Sequence, residues 1–245
     1  LFFKDEMMAN KKVSDFQQNL FKNNLLEKAL QKEKFQIVNK KLYAACLKND
    51  LQEIIYLIDQ GATLHLLEGA EIHHFHEDEN NPLHLAVKNE SLEAVAYLIK
   101  QGAKINVRNR RQQTPLHLAC YHENLSIIEF LIENGADIEA VEDDKDTPVA
   151  WAAFIGNLLV TKRLIALGAN INHSNKNGYT PLHWASYKGH TEIASFLIEC
   201  GADLNATDNS DFTPLYCAVE NGHIKIVELF FEYAKQQAAR NLNST

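Results

Sequence analysis

The sequence predicts an all-α solenoid of stacked helix–turn–helix units joined by short extended fingers, and two periodicities carry that expectation. The motif Thr180-Pro181-Leu182-His183 recurs as Asn81-Pro82-Leu83-His84, Thr114-Pro115-Leu116-His117, Thr147-Pro148-Val149-Ala150 and Thr213-Pro214-Leu215-Tyr216, each start 33 residues after the last. A Gly-Ala pair keeps step at Gly102, Gly135, Gly168 and Gly201, with an earlier copy at Gly61 lying 41 residues upstream. A sustained period in the low thirties marks stacked helical units.

Local chemistry accounts for each element of one unit. Thr180 offers its hydroxyl to an unpaired backbone N–H, and Pro181 suits the first helical position because its missing N–H is no loss there. Leu182, Ala185 and Ser186 share a face of that first helix, and Gly189 ends it. A second helix carries Ile193, Ala194, Leu197 and Ile198 at the spacing of a buried stripe. Gly201 stops it by taking the left-handed conformation that satisfies the last carbonyls. Asp203-Leu204-Asn205 then starts a finger leading to the next Thr-Pro. One such unit cannot bury its own apolar face, so the array is what folds.

On these motifs the chain resembles the ankyrin-repeat family. The resemblance implies about six repeats, near residues 40–72, 81–113, 114–146, 147–179, 180–212 and 213–240, with degenerate units at both ends. The first has Lys40-Lys41 in place of Thr-Pro and Glu53 in the apolar stripe. In the last, Ile226, Val227, Phe230 and Phe231 hold the stripe, but Tyr233-Ala234 replaces Gly-Ala, so the second helix is expected to run on through Lys235, Gln236 and Ala239. Residues 1–39 fall outside the repeat. Phe16, Leu20, Phe21, Leu25, Leu26 and Leu30 predict an amphipathic helix from about Ser14, read as a cap over the first unit, with docking or dimer pairing as its alternatives. Residues 241–245 are expected to fray.

Composition narrows the function classes. A net charge of −8 and a pI near 5.8 argue against general nucleic-acid binding, which uses clustered Lys and Arg. The four cysteines, Cys46, Cys120, Cys200 and Cys217, lack metal or disulfide spacing and read as reduced thiols of a cytoplasmic-type compartment. No apolar run reaches the roughly 18 to 20 residues of a membrane span. The chain starts at Leu1 without an initiator Met or a signal-peptide pattern, which reads as a cut from something longer. No nucleophile–base pair, Gly-rich phosphate loop or Cys-x-x-Cys is present, so neither catalysis nor a cofactor is expected.

Two groups of histidines invite chemistry. The long finger at about 63–80 holds His73, His74 and His76 among carboxylates, weak metal candidates, since a zinc site needs three or four convergent ligands and this spacing guarantees none. His84, His117 and His183 share one repeat position. The resemblance makes them structural residues that hydrogen-bond within and between repeats, and Ala150 and Tyr216 stand at the same position.

The resemblance also implies a binding surface. In the family, the two residues before the mid-repeat Gly and those just ahead of the Thr-Pro commonly face the concave side and contact partners. Carried over, the first set includes Tyr121-His122, Phe154-Ile155 and Tyr187-Lys188, which place an aromatic at one position in three successive repeats. These rings are expected to form an exposed ladder, while Trp151 and Trp184 are read as core residues at its edge. The finger tips add a basic group (Arg108, Arg110, Arg111), an acidic group (Glu142, Asp143, Asp144, Asp146) and a polar group with Lys176 and Tyr179; Phe212 lies near the last finger. All are read as solvated loops able to set a partner's register.

The expected function is a monomeric, cytoplasmic, non-enzymatic module that binds a protein or peptide on its concave face and finger tips. The alternative is the targeting segment of a larger enzyme or secreted bacterial effector acting in the host cytosol, favoured by the abundance of Asn, Lys and Ile. A purely architectural role is the third possibility.

Overall fold

The structure, a computed structural model, describes residues 26–28, 30, 33–34, 37–62 and 80–242. Those residues form helices joined by turns, with no strand among them. The chain divides into two compact units, Leu1–Thr63 and Leu64–Thr245.

In the first unit, helix α1 includes residues 37–47 and is also helical at 26–28, 30 and 33–34; α2 spans Leu51–Asp59. The Asp50 side chain caps α2 by accepting from the Glu53 N–H at 3.1 Å. Leu42 and Cys46 of α1 and Ile54 and Leu57 of α2 are buried. Helix α1 passes through residue 39, the expected edge of the array, without a break. Leu26 and Leu30 are exposed, and the rest of the expected cap before residue 26, like most of the long finger, lies outside the described residues.

The second unit alternates short first helices with longer second ones. The first helices are α3 (Pro82–Lys88), α5 (Pro115–Tyr121), α7 (Pro148–Ile155), α9 (Pro181–Lys188) and α11 (Pro214–Glu220). The second helices are α4 (Leu92–Lys100), α6 (Leu125–Glu133), α8 (Leu158–Ala166), α10 (Thr191–Glu199) and α12 (Ile224–Leu242). Proline opens every first helix, as its fixed φ and missing donor favour. Each first helix packs on the next, and α4 on α6, α8 on α10 and α10 on α12 form a second row.

A column of alanines, Ala86, Ala119, Ala152, Ala185 and Ala218, is buried at every first helix, which lets neighbouring backbones approach closely. Between repeats, Leu182, Ile193, Leu197, Ile198, Ile226 and Phe230 form one continuous apolar core. Lacking a Gly-Ala stop, α12 continues to Leu242, and residues 243–245 lie outside the described residues. Phe231 is the exception in its stripe, being 58% exposed.

Candidate interaction surface

The scaffold that presents the surface is stitched by the repeated histidines. The Nε2–H groups of His84, His117 and His183 donate to the carbonyls of Gln113, Asp146 and Phe212 at 2.9, 3.2 and 3.1 Å. A carbonyl can only accept, so Nε2 carries the proton and Nδ1 is left as the acceptor. Nδ1 of His183 accepts from the Thr180 N–H at 3.1 Å, and its Thr180 Oγ1 contact is 2.9 Å. Burial, the largest influence, pushes His84 and His117 down to about 4 and His183 down as well. These rings are neutral structural ties. At the fourth such position, Ala150 supplies no ring, and the buried Thr147 Oγ1 finds no hydrogen-bond partner.

The fingers are tight turns held by their own side chains. Asn109, Glu142, Asn175 and Asp208, spaced by one repeat, are all buried. Each side-chain oxygen accepts two backbone N–H groups of its own turn: Glu142 Oε1 takes those of Asp144 and Asp146, and Asn175 Oδ1 those of Asn177 and Tyr179. Successive fingers are bonded through Asp143 N–H to Arg111 O, Lys176 N–H to Asp144 O and Asn209 N–H to Asn177 O.

The acidic tip is therefore not one solvated group. Glu142 and Asp146 are buried, while Asp143 and Asp144 remain exposed. Asp146 accepts from Trp184 Nε1 at 2.8 Å and from Asn175 Nδ2 at 3.1 Å. Burial raises both carboxyl pKa values, opposed at Asp146 by the bonds from Trp184 and Asn175.

The aromatic positions come out on the surface, with Tyr121 55% exposed and Phe154 and Tyr187 each 39% exposed. Trp184 meets both Phe154 and Tyr187, whereas Tyr121 meets Trp151. Tyr121 lies 6.2 Å from Trp151, Phe154 lies 4.9 Å from Trp184, and Trp184 lies 6.1 Å from Tyr187, all edge to face. Trp151 and Trp184 are half-buried, so reading them as core residues was wrong in part: Trp184 rests on the apolar core while its N–H turns to Asp146. The reason is chemical, since an indole is too large and too polar at nitrogen to act as an oversized leucine.

The remaining candidates divide by environment. Arg110, Arg111, Asp143, Asp144, Lys176 and Lys188 are exposed; His122 and Ile155 are half-buried, with the His122 ring against Tyr121. Tyr179 is half-buried against Trp184 at 4.8 Å, so it belongs to the packing of its own array more than to a free tip. Phe212 stacks on Tyr216 at 4.1 Å. Together Tyr121, Trp151, Phe154, Ile155 and Trp184 enclose, with Glu142, Asp144 and Asp146, a cleft of about 250 Å³ between the first helices and a finger.

A second set of contacts was not anticipated from sequence. His190 and His223 donate from Nε2 to the carbonyls of Phe154 and Tyr187, one repeat back, at 3.1 and 2.9 Å. Their rings fill the space over Gly156 and Gly189, where a Cβ would lie 2.6 Å from the imidazole. Both glycines also have positive φ, +100° and +80°. The Gly-His pairing across one repeat length was the available signal.

The family model for ankyrin repeats (3 copies) matches residues 19–108, 42–142 and 149–241. The chain belongs to the ankyrin-repeat family. Ankyrin repeats are generally protein–protein interaction modules, and the cleft and ring row described above lie on one such array. A comparison with curated proteins finds no match. Among the described residues, no group of three or more His, Cys, Asp or Glu is placed to hold a metal ion, and no helix is long and apolar enough to cross a membrane. His73, His74 and His76 lie outside the described residues. All four cysteines are free; Cys46, Cys120 and Cys217 are buried, and burial pushes Cys46 up to about 12.

Proposed function

We propose that this ankyrin array is a non-enzymatic recognition module that holds a partner protein or peptide along its row of first helices. Tyr121, His122, Phe154, Ile155, Tyr187 and Lys188 make the contact, and the tips around Arg110, Arg111, Asp143, Asp144 and Lys176 set register. One observation carries this reading: three successive repeats spend an aromatic at the same position and leave it 39% to 55% exposed. Fully burying a ring of this size contributes about 1.5 to 3 kcal/mol. Because the three rings are already partly covered, burying what remains exposed contributes about 2 to 4 kcal/mol, up to half of the about 8 kcal/mol of a micromolar complex before ordering costs. Tyr and Trp are also the residues that dominate interface energetics.

The test is the triple variant Tyr121→Ala/Phe154→Ala/Tyr187→Ala, compared with the parent by thermal melting and by affinity capture from a cell extract. The variant should melt like the parent and lose the proteins that the parent retains specifically. A variant that retains the same proteins to the same extent refutes the reading.

The composition supports a second reading, in which this array is the targeting segment of a larger enzyme or of a secreted bacterial effector acting on host proteins. The catalytic part then lies outside these residues, and the full reading frame decides the matter.

A further inference from the structure

We propose that the cleft between α5, α7, α9 and the finger 142–146 seats one arginine side chain from an extended basic stretch of the partner. The inference rests on reading the first-helix row as the recognition surface, and it names the chemistry of the occupant.

Three features of the cleft select a cation. Every ionisable group on its wall is acidic: Glu142, Asp144 and Asp146. None of the three makes an ion pair with a described residue. Glu142 and Asp146 are held only by neutral donors, and burial raises their pKa, the mark of negative charge short of compensation. An incoming cation relieves that deficit, an anion worsens it, and an apolar side chain removes water from the carboxylates without replacing it.

The remaining wall is aromatic. Ring faces attract cations, and Arg, being planar and weakly hydrated, stacks on them while forking to a carboxylate. The rim already shows that preference: the Lys188 ammonium lies 4.3 Å from the Phe154 ring centroid, on the residue that walls the cleft. Asp144, exposed at the mouth, has no side-chain partner among the described residues and is free to form the fork.

The chain supplies its own reporter, because its two tryptophans, Trp151 and Trp184, both line this cleft. The probe is a capped pentapeptide with a single central arginine between Gly and Ser residues, titrated into the whole chain while tryptophan emission is followed. Matched peptides carry citrulline, a neutral isostere, or glutamate. The arginine peptide should give a saturable change, the citrulline peptide one about tenfold weaker, the equivalent of about 1.4 kcal/mol, and the glutamate peptide none. Asp144→Asn should weaken the arginine response about tenfold with unchanged melting, since that side chain ties no part of the fold. Asp146→Asn, which disturbs the Trp184 bond, serves as the second variant.

Equal responses to arginine and citrulline overturn the inference, as does the absence of a saturable response, or a response unchanged in both Asp variants. The two readings separate cleanly. If the arginine peptide fails while the triple alanine variant still loses its partner, only the cation site falls. If the peptide binds but the triple variant keeps its partner, the recognition row is elsewhere.

Discussion

Acidification to pH 5 should weaken this array by about 4 kcal/mol, and the magnitude follows from two buried rings. His84 and His117 are fully buried, each donates from Nε2 to a carbonyl, and each titrates near 4 in the folded chain against an ordinary value of 6.5. Desolvation by burial is the main cause at both. Because the folded values are depressed, the unfolded chain takes up protons first as pH falls. The stability these rings contribute is complete above about pH 6.5 and drains away as pH approaches 4. At pH 5 the linkage amounts to about 2 kcal/mol per ring, and below pH 4 to about 3. Glu142 and Asp146, raised by burial, act in the opposite sense. Against a total stability of about 5 to 15 kcal/mol, a loss of about 4 is large. Urea unfolding followed by far-UV circular dichroism at pH 7.5, 6.5 and 5.0 reads it directly as a falling midpoint. The His84→Ala/His117→Ala variant, which copies what Ala150 already is, should lose most of the slope. A parent whose midpoint is flat from pH 7.5 to 5, or a double variant equally steep, refutes the assignment of these rings as buried neutral ties.

Further outcomes follow from single contacts. Thr180→Val removes the hydroxyl that meets His183 and the N3 amide, and should cost about 1 to 2 kcal/mol; Thr147→Val removes a buried hydroxyl without a partner and should be neutral or stabilise by up to about 1 kcal/mol. Paired thermal melts compare them, and equal losses would contradict the contrast. Gly156→Ala should destabilise more than Gly135→Ala, although both have positive φ near +100°, because only Gly156 faces an imidazole at 2.6 Å. Leu131→Ala, at a fully buried site, should cost about 2 to 5 kcal/mol in chemical denaturation, while Leu159→Ala, 62% exposed, should stay within about 0.5 kcal/mol.

The repeat itself was legible because its signals are local and periodic. Thr-Pro at helix starts, Gly-Ala at helix ends and stripes such as Ile193, Ala194, Leu197 and Ile198 each state a backbone requirement within a few residues. The run-on of α12 followed from the same logic, through the missing glycine before Ala234. What was not legible depends on contacts that exist only once a finger has turned or two repeats have met. Glu142 reads as a solvated acid until the turn it closes is seen, and the column Asn109, Glu142, Asn175, Asp208 is visible only when the fingers are aligned by register. Trp184 reads as core by its place in the helix, but its N–H donates to the buried carboxylate of Asp146, 38 residues earlier. The exposure of Tyr121, Phe154 and Tyr187 was foreseeable; the placing of Trp184 against both Phe154 and Tyr187 was not, because ring orientation depends on both neighbouring repeats.

The unfilled position at Ala150 has a consequence for how the array comes apart. In a linear stack, cooperativity is the sum of couplings between neighbours, and the joint where the unit before residue 180 meets the next lacks the Thr-Pro-Leu-His imidazole of its counterparts, which leaves His190 on the Phe154 carbonyl and Trp184 on Asp146 as the side chains bonded across it. Amide hydrogen exchange should therefore divide the chain into two blocks with different protection, the seam falling near Tyr179 and Thr180. The ring row straddles that seam, so a guest seated across it would act as a splint, merging the two blocks into one.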